Sequence, residues 1–319
     1  TQNSSIMKKI TLIFSLFLIF SCGSDDSDLV VSYQERVTTV LNQSPETNPL
    51  EDSSLFFSDL SYGTAERNTY DILLPKDGAP IGVVIFFHGG SFLFNDKSDT
   101  YEAPFDDIIK NLISQKVAIV NANYSYLTST NSSGVLTSLS DGTLLLNHIR
   151  SLASSLDIDT NKIILGGASS GAGIALWNGL QAEHNAGVLG IVAIETQSTY
   201  NLYKWESLFM DLSIDAITQS STEFQTLFSL FYGGVVPTQE QLDAVDFINF
   251  IDSTDPDLYL FNTAGNSFLN EDGTIDLNVL YHSRIHTDAL RGKAIAEELE
   301  NSGGYQETPD AFVLRILKQ

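Results

Sequence analysis

The sequence has one cysteine, few basic residues and no apolar run long enough to cross a bilayer. With Cys22 alone, an intrachain disulfide is excluded. Sixteen lysines and arginines stand against 40 acidic residues, and the formal net charge of −24 at pH 7 argues against nucleic acid or an anionic membrane surface as a ligand. The 319 residues, 43% of them hydrophobic, suffice for one α/β domain with additions and are few for two large domains.

The first residues have the features of a targeting segment. The basic stretch Met7–Lys9 precedes an apolar stretch, Ile10–Phe20, which is too short to span a bilayer. Ser21 and Cys22 follow, and an aliphatic stretch with a small residue directly before cysteine resembles a bacterial lipoprotein signal. We therefore predict leader residues and a lipoprotein signal peptide over 1–22, with lipid attached to Cys22. The alternative is an ordinary secretory signal in which the cysteine is coincidental.

The predicted lipid attachment has a consequence for localisation. Acyl chains on Cys22 would anchor the protein to the bacterial cell envelope, at the outer membrane or the cell surface, without a transmembrane helix. Residues 23–54 are polar and acidic, and we predict them to be a tether with one helix around Leu29–Leu41. The sequence leaves open whether the anchored domain faces the periplasm or the outside.

From Leu55 onward, strand patterns alternate with helix patterns. The run Gly82–Phe87 is continuously apolar and contains β-branched residues, as expected for a strand buried on both faces. This alternation predicts an α/β fold over 55–319, with a mostly parallel central sheet and helices on both faces. The predicted strands are Leu55–Phe57, Asn68–Leu74, Gly82–Phe87, Val117–Asn121, Lys162–Leu165, Leu189–Ile194, Leu258–Phe261 and Phe312–Leu317, and the predicted helices are Phe105–Gln115, Asp141–Leu156, Ala172–Ala182 and Arg284–Glu300.

An aromatic-rich stretch at about 199–253 interrupts the alternation. An insertion at this point would lie over the carboxyl ends of the strands, where open α/β sheets bind ligands. We predict a helical cap insertion that walls an apolar substrate pocket. The alternative is a helical excursion whose aromatic side chains fill a small core of their own.

Two glycine-containing motifs follow predicted strands and point to the same chemistry. Gly167–Gly171 has the pattern Gly-x-Ser-x-Gly at a strand-to-helix junction, which is typical of a nucleophile elbow with Ser169 as the nucleophile. The turn His88-Gly89-Gly90 directly follows another strand, so the N–H groups of Gly89 or Gly90, with that of Ser170, would form an oxyanion hole. Each motif alone also occurs in ordinary glycine-rich loops.

Together these residues resemble the α/β-hydrolase family, and most closely its carboxylesterase/lipase-like branch with a His-Gly-Gly oxyanion loop. The resemblance runs from about Leu55 to the end and includes the turn Leu156–Ile163 before the elbow strand. It also includes Asn123–Tyr126, where relatives usually carry a tyrosine-arginine pair that this sequence lacks. The resemblance implies ester hydrolysis by a serine, an acid and a histidine in that chain order, with no cofactor.

The resemblance also indicates a catalytic acid. Asp276–Ser283 is similar to the family pattern in which the acid precedes a serine that opens the next helix, so we predict Asp276 as the acid and Asp272 as the second choice. The alternative is that both are solvated loop residues, as is common near a glycine such as Gly273.

The histidine of the family lies in the loop after the last strand. Here the predicted strand Phe312–Leu317 is followed only by Lys318 and Gln319, so we expect a domain truncated at its C-terminus, with the base beyond Gln319. A relocated base at His282 or His286 is the alternative. These two histidines lie one helical turn apart but lack an evident third metal ligand, and we predict no metal site.

These observations predict an envelope-anchored serine hydrolase. Its substrate would be a small or polymer-borne carboxylic ester, cleaved through a Ser-Asp-His triad, and nucleic acid is not an expected partner. Two alternatives remain open: a serine peptidase of the same fold, and a catalytically dead, hydrolase-like binding lipoprotein, which the missing histidine favours.

Overall fold

The computed structural model describes residues 31–299 and 306–319. Its strands are β1 Leu55–Ser61, β2 Thr69–Leu74, β3 Gly82–Phe87, β4 Val117–Ala122, β5 Ile163–Ala168, β6 Val188–Ile194 and β7 Asp257–Phe261. These strands form one seven-stranded sheet in the order β1-β2-β4-β3-β5-β6-β7. β1 and β2 pair antiparallel, as do β2 and β4, while all other pairs are parallel. The predicted mostly parallel sheet is therefore confirmed.

Helices cover both faces of the sheet. Successive side chains of β3 point to opposite faces, since Val83 and Ile85 belong to one buried cluster and Val84 to the other. The helices are α1 Tyr33–Leu41, α2 Phe105–Ser114, α3 Val135–Leu152, α4 Ser170–Gly179, α5 Ile214–Ser220, α6 Thr222–Phe231, α7 Gln239–Ala244, α8 Leu277–His282, α9 Arg284–Ala296 and α10 Pro309–Leu317. The first cluster includes residues of α3, α4 and α9, and the second includes residues of α2 and α10.

The predicted strand Phe312–Leu317 is wrong, because these residues belong to helix α10. Thr308 caps the helix by accepting a hydrogen bond from the N–H of Ala311, and Pro309 occupies the first turn. The buried side chains recur with helical spacing and pack with α2 against one face of the sheet; they are Phe312, Val313, Ile316 and Leu317. Among the described residues, β7 is thus the last strand.

Part of the predicted tether packs against the domain, and Ser32–Gln319 belong to one compact unit. In α1, Val37 is fully buried, and Arg36 makes a two-fold hydrogen-bonded ion pair with Asp157 at 2.7 and 2.5 Å. The predicted signal peptide and Cys22 lie outside the described residues. No helix within 31–299 or 306–319 is long and apolar enough to cross a membrane.

Helices α5, α6 and α7 lie between β6 and β7, within the stretch 199–253 where the sequence predicts a cap insertion. Its aromatic side chains pack edge-on, with the ring of Tyr200 at 5.1 Å from those of Phe231 and Phe247. The cap is tied to α4, because the Tyr200 hydroxyl donates to the carbonyl of Ser170 at 3.2 Å and the indole of Trp177 donates to the carbonyl of Ala244 at 2.9 Å. The cap therefore lies directly beside the start of α4, which Ser169 precedes.

Candidate active site

Ser169 lies between β5 and α4 in a strained conformation, with φ 48° and ψ −117°. Its N–H donates to the carbonyl of Ile194 at 2.8 Å, which fixes the turn to the neighbouring strand. A Cβ at Gly167 would overlap the backbone of Gly171, and a Cβ at Gly171 would overlap the carbonyl of Phe87. Both glycines are therefore required by the close approach of backbone, as the elbow motif predicts.

The predicted oxyanion loop lies directly against this serine. A Cβ at Gly89 would stand 3.5 Å from the Cβ of Ser169, and Gly90 has a φ of +123°, which L side chains rarely adopt. The N–H groups of Gly89, Gly90 and Ser170 have no hydrogen-bond acceptor among the described residues. The predicted oxyanion-hole donors are thus without a partner in the part of the chain that the structure describes.

Tyr124 contacts the His88-Gly89-Gly90 loop through its hydroxyl and its ring. Its hydroxyl donates to the carbonyl of His88 at 2.9 Å and lies 3.0 Å from the hydroxyl oxygen of Ser170. The imidazole of His88 stacks on the Tyr124 ring at 4.5 Å. Burial lowers the pKa of His88, and its Nδ1 donates to the carbonyl of Gly89 at 2.5 Å. His88 is therefore a neutral structural residue of the loop.

Arg67 places its guanidinium beside Tyr124 and Tyr126. It lies 3.7 Å above the ring of Tyr126, donates to the Tyr124 carbonyl at 3.0 Å and has one nitrogen 3.2 Å from Nε2 of His88. Sequence reasoning missed Arg67 because it lies 57 residues before Tyr124 and outside any motif.

His282, at the end of α8, is the histidine that the structure brings to Ser169. Its Nε2 lies 3.0 Å from Oγ of Ser169, and its Nδ1 lies 3.0 Å from Oδ1 of Asn278. Residues four apart share one face of a helix, so Asn278 is placed to hold the ring. Since the amide oxygen accepts from Nδ1–H, Nε2 is left with a lone pair that can accept a hydrogen bond from the serine hydroxyl. Sequence reasoning expected the base beyond Gln319 and held His282 only as an alternative.

The predicted acids lie elsewhere. Asp276 caps α8, with its Oδ1 accepting a hydrogen bond from the N–H of Val279 at 3.0 Å, and Asp272 accepts from Thr274 in an exposed loop. Asp276 precedes His282 by more than one and a half turns, and its carboxylate is turned to the helix start. The structure therefore contains a Ser-His-Asn arrangement in place of the predicted Ser-Asp-His one.

Glu195 is the acidic residue whose charge acts on His282. Burial lowers the pKa of His282 below its ordinary value of 6.5, while the Glu195 charge raises it. The carboxylate is held at the end of β6 by the N–H and the hydroxyl of Thr263, at 3.0 and 2.6 Å. Sequence reasoning missed Glu195 because it sought the acid after β7.

His286 is a buried structural residue. Its Nδ1 accepts a hydrogen bond from the backbone N–H of Ser198 and lies 3.0 Å from the hydroxyl oxygen of the same residue. Its Nε2 donates to the carbonyl of Leu280 at 3.0 Å. Burial lowers its pKa to about 4, so the ring is neutral. Neither nitrogen is free for a metal, and no cluster of three metal-ligating side chains occurs within the described ranges.

A cavity of about 40 Å³ opens beside Ser169. A single water needs roughly 10–15 Å³ by this measure, so the space suits a group of about three heavy atoms. Six of the twelve lining residues belong to the cap, and its aromatic residues both line the cavity and pack against one another. The lining residues away from the elbow are Ser91, Phe92, Gln197, Tyr200, Leu202, Trp205, Phe224, Leu227, Phe231 and Tyr281.

A second, outer cleft of about 290 Å³ adjoins this cavity, since Ser91, Leu227 and Tyr281 line both. Its other lining residues are Leu93, Phe94, Thr222, Glu223 and Thr226. The site thus has a narrow inner space and a wider outer space, both lined mainly by apolar surface, and the two share residues beside the serine.

Comparison with known proteins finds a family model that matches this sequence and solved structures that resemble its fold. The sequence model of a family described as BD-FAE matches residues 70–278, a range that includes Ser169 and the oxyanion loop and stops before His282. No curated protein matches the sequence.

Among solved structures, a truncated carbohydrate esterase from gut microbiota has a TM-score of 0.63 at 15% identity, over 86% of this chain and 100% of that chain. Esterase B from Lactobacillus rhamnosis has a TM-score of 0.59 at 14% identity, over 86% and 87%. A bifunctional GH43-CE protein from Bacteroides eggerthii has a TM-score of 0.55 at 18% identity, over 82% of this chain and 37% of that chain. At these identities the likeness shows a common fold.

Proposed function

Because the chain belongs to the BD-FAE family, which is α/β-hydrolase-like, we propose that it hydrolyses carboxylic esters with Ser169 as nucleophile and His282 as general base. The observation that carries this proposal is the 3.0 Å contact between Oγ of Ser169 and Nε2 of His282, at an elbow with three available backbone donors. The neighbours described as esterases support an ester substrate.

In the proposed mechanism, Oγ of Ser169 attacks the ester carbonyl while Nε2 of His282 takes its proton. The N–H groups of Gly89, Gly90 and Ser170 stabilise the tetrahedral oxyanion, an effect worth roughly 3 kcal/mol per donor. His282 then gives the proton to the leaving alcohol. A water, deprotonated by the same nitrogen, attacks the acyl-enzyme and releases the acid.

In this mechanism, Asn278 and Glu195 together perform the two functions of a triad acid, which are to orient the imidazole and to compensate its positive charge. The amide oxygen of Asn278 holds the ring in the tautomer that leaves Nε2 unprotonated, but it has no net charge to offset the imidazolium that forms. The negative charge of Glu195 favours the protonated ring and supplies that compensation.

The inner cavity favours short acyl groups, and a series of p-nitrophenyl esters tests the proposed activity. We expect kcat/KM to be highest for the acetate and at least about 100-fold lower for the octanoate, because the cavity has no room for a longer chain. Leu227→Ala, which widens the inner space, should raise the ratio of butyrate to acetate turnover. Preference for the octanoate would contradict this assignment, and faster cleavage of peptide anilides than of esters would favour the peptidase alternative.

The pH dependence follows from the surroundings of His282. Only the neutral imidazole accepts the serine proton, and its pKa lies below 6.5, so we expect kcat/KM to fall only below pH 6.5. Glu195→Gln removes the charge that raises this pKa and should shift the acidic limb to lower pH. Glu240→Gln, the same change on α7, is the control that should leave the profile in place. An acidic limb that stays unmoved in Glu195→Gln would remove Glu195 from the mechanism.

The catalytically dead alternative rested on the lack of a base. A histidine within hydrogen-bond distance of the elbow serine favours an enzyme over a binding protein.

The lipid anchor remains part of the proposal, on the basis of the signal pattern before Cys22. In a bacterial host, the full-length chain should partition into the membrane fraction, and Cys22→Ala should abolish this. Equal partitioning of both forms would argue against acylation of this cysteine.

A further inference from the structure

His88, at the start of the oxyanion loop, makes a polar contact with each of its two ring nitrogens. Its Nδ1 lies 2.5 Å from the carbonyl oxygen of Gly89, and its Nε2 lies 3.2 Å from a guanidinium nitrogen of Arg67. A carbonyl oxygen only accepts hydrogen bonds, and a guanidinium only donates them. Both contacts therefore require the same neutral tautomer, with the proton on Nδ1 and a lone pair on Nε2.

Arg67 is held in place by partners other than His88. Its Nε donates to the carbonyl of Tyr124 at 3.0 Å, the nitrogen that faces His88 also donates to Oδ1 of Asn123 at 3.0 Å, and the guanidinium lies 3.7 Å above the ring of Tyr126. A fixed guanidinium disfavours the other tautomer, because a proton on Nε2 would point at another donor. Burial lowers the pKa of His88 and the charge of Arg67 lowers it further, so the ring also stays neutral.

The carbonyl that His88 binds belongs to the peptide bond between Gly89 and Gly90. The one cis peptide bond within 31–299 and 306–319 precedes Pro104, so the Gly89–Gly90 bond is trans. In a planar trans peptide, the carbonyl and the following N–H point in opposite directions. The hydrogen bond from His88 thus turns the N–H of Gly90 away from the imidazole. Since glycine has no Cβ to restrict the backbone, this orientation depends on the partners of the carbonyl, of which the Tyr124 hydroxyl, at 3.4 Å, is the weaker.

We propose that Arg67 is a positioning residue of the oxyanion hole: by fixing the tautomer of His88, it aims the N–H of Gly90 at the oxyanion that forms on the substrate. This N–H has no acceptor among the described residues, and a Cβ at Gly89 would stand 3.5 Å from the Cβ of Ser169, so the peptide borders the nucleophile. In the other tautomer, the lone pair of Nδ1 would face the Gly89 carbonyl and repel it. Neither Arg67 nor His88 touches the substrate in this role, which rests on the proposed esterase function.

The tautomer of His88 can be measured without any turnover. In protein with isotope-labelled histidine, nitrogen NMR at neutral pH should find His88 protonated at Nδ1, and His88→Phe identifies its resonances by their loss. In Arg67→Met, which lacks the donor to Nε2, the form protonated at Nε2 should become detectable. Protonation at Nε2 in the wild type would overturn the inference, and this result does not depend on whether Arg67→Met folds.

Steady-state kinetics with p-nitrophenyl acetate test the consequence for catalysis. A misdirected donor weakens stabilisation of the transition state more than binding of the ester, so Arg67→Met should lower kcat by about 10- to 100-fold and change KM by no more than about threefold. His88→Phe keeps a ring against Tyr124, lacks both nitrogens and should lower kcat at least as far. The double variant should be no slower than His88→Phe, because Arg67 acts through His88. Losses of kcat that multiply in the double variant would assign Arg67 a separate, structural role instead.

Arg36→Met is the matched control. Arg36 also lies over a tyrosine ring, that of Tyr33 at 5.3 Å, and pairs with Asp157 outside the proposed site, so the variant should keep the wild-type kcat and KM. A wild-type kcat in Arg67→Met would refute the inference and leave the esterase assignment in place. Absence of turnover in the wild type would remove the esterase assignment, and with it the role of the Gly90 N–H.

Discussion

Ser169→Ala is expected to lower kcat for p-nitrophenyl acetate by about 10⁵-fold or more, to the residual level that binding and the oxyanion donors supply. The reason is that no acyl-enzyme forms without Oγ, so the reaction loses its two-step path. Mass spectrometry after treatment with a fluorophosphonate should find an adduct on Ser169 of the wild type and none on the variant.

A second substitution at this position is the matched control for folding. Alanine keeps the Cβ and therefore the strain of a φ of 48°, whereas glycine adopts this conformation freely. Ser169→Gly should be as inactive as Ser169→Ala but should unfold at a higher temperature. Turnover within tenfold of the wild type in either variant would place the nucleophile elsewhere.

The elbow and the oxyanion loop were predictable because their requirements are local. Gly167 and Gly171 are needed where two backbone segments touch, and Gly90 is needed for its positive φ. Each of these constraints requires glycine at a fixed number of residues from the end of an apolar strand, and such a spacing can be seen in the sequence. The alternation of strands and helices from β3 to β6 was predictable for the same reason, since the buried runs are short and bounded.

The partners of Ser169 were not predictable in this way. His282 lies 113 residues after the serine, and only the packing of α8 beside the elbow brings the two together. Asn278 could have been found as the residue one turn before a histidine, but the expectation of a carboxylate directed attention to Asp276. Glu195 reaches the site from the end of a different strand.

The wrong strand at Phe312–Leu317 had the largest consequence for the prediction of the base. Taken as the last strand, it implied that the histidine should follow Gln319. The pair Thr308-Pro309 is a helix start, and the apolar residues after it recur at helical spacing, so the sequence itself contained the signal. With that segment as a helix, the position of the base can no longer be derived from the order of strands.

His282→Ala is expected to lower kcat by about 10⁴-fold or more, because no other described side chain forms a hydrogen bond with Oγ of Ser169. The double variant Ser169→Ala/His282→Ala should be no slower than either single variant, since two residues that act as one unit do not contribute additively. Steady-state rates with p-nitrophenyl acetate, together with melting temperatures, measure both effects.

His184→Gln is the matched control for the loss of an imidazole, because His184 lies in the turn after α4, beside Trp177 and Arg150, and takes no part in the proposed site. It should retain the wild-type kcat. If His282→Ala instead keeps its activity within about tenfold of the wild type, then His282 only contacts the serine, and the base must be sought in another histidine. Loss of activity in His282→Ala at an unchanged Tm would identify His282 as the general base. Its imidazole is then the group that Asn278, one helical turn earlier, orients toward the nucleophile.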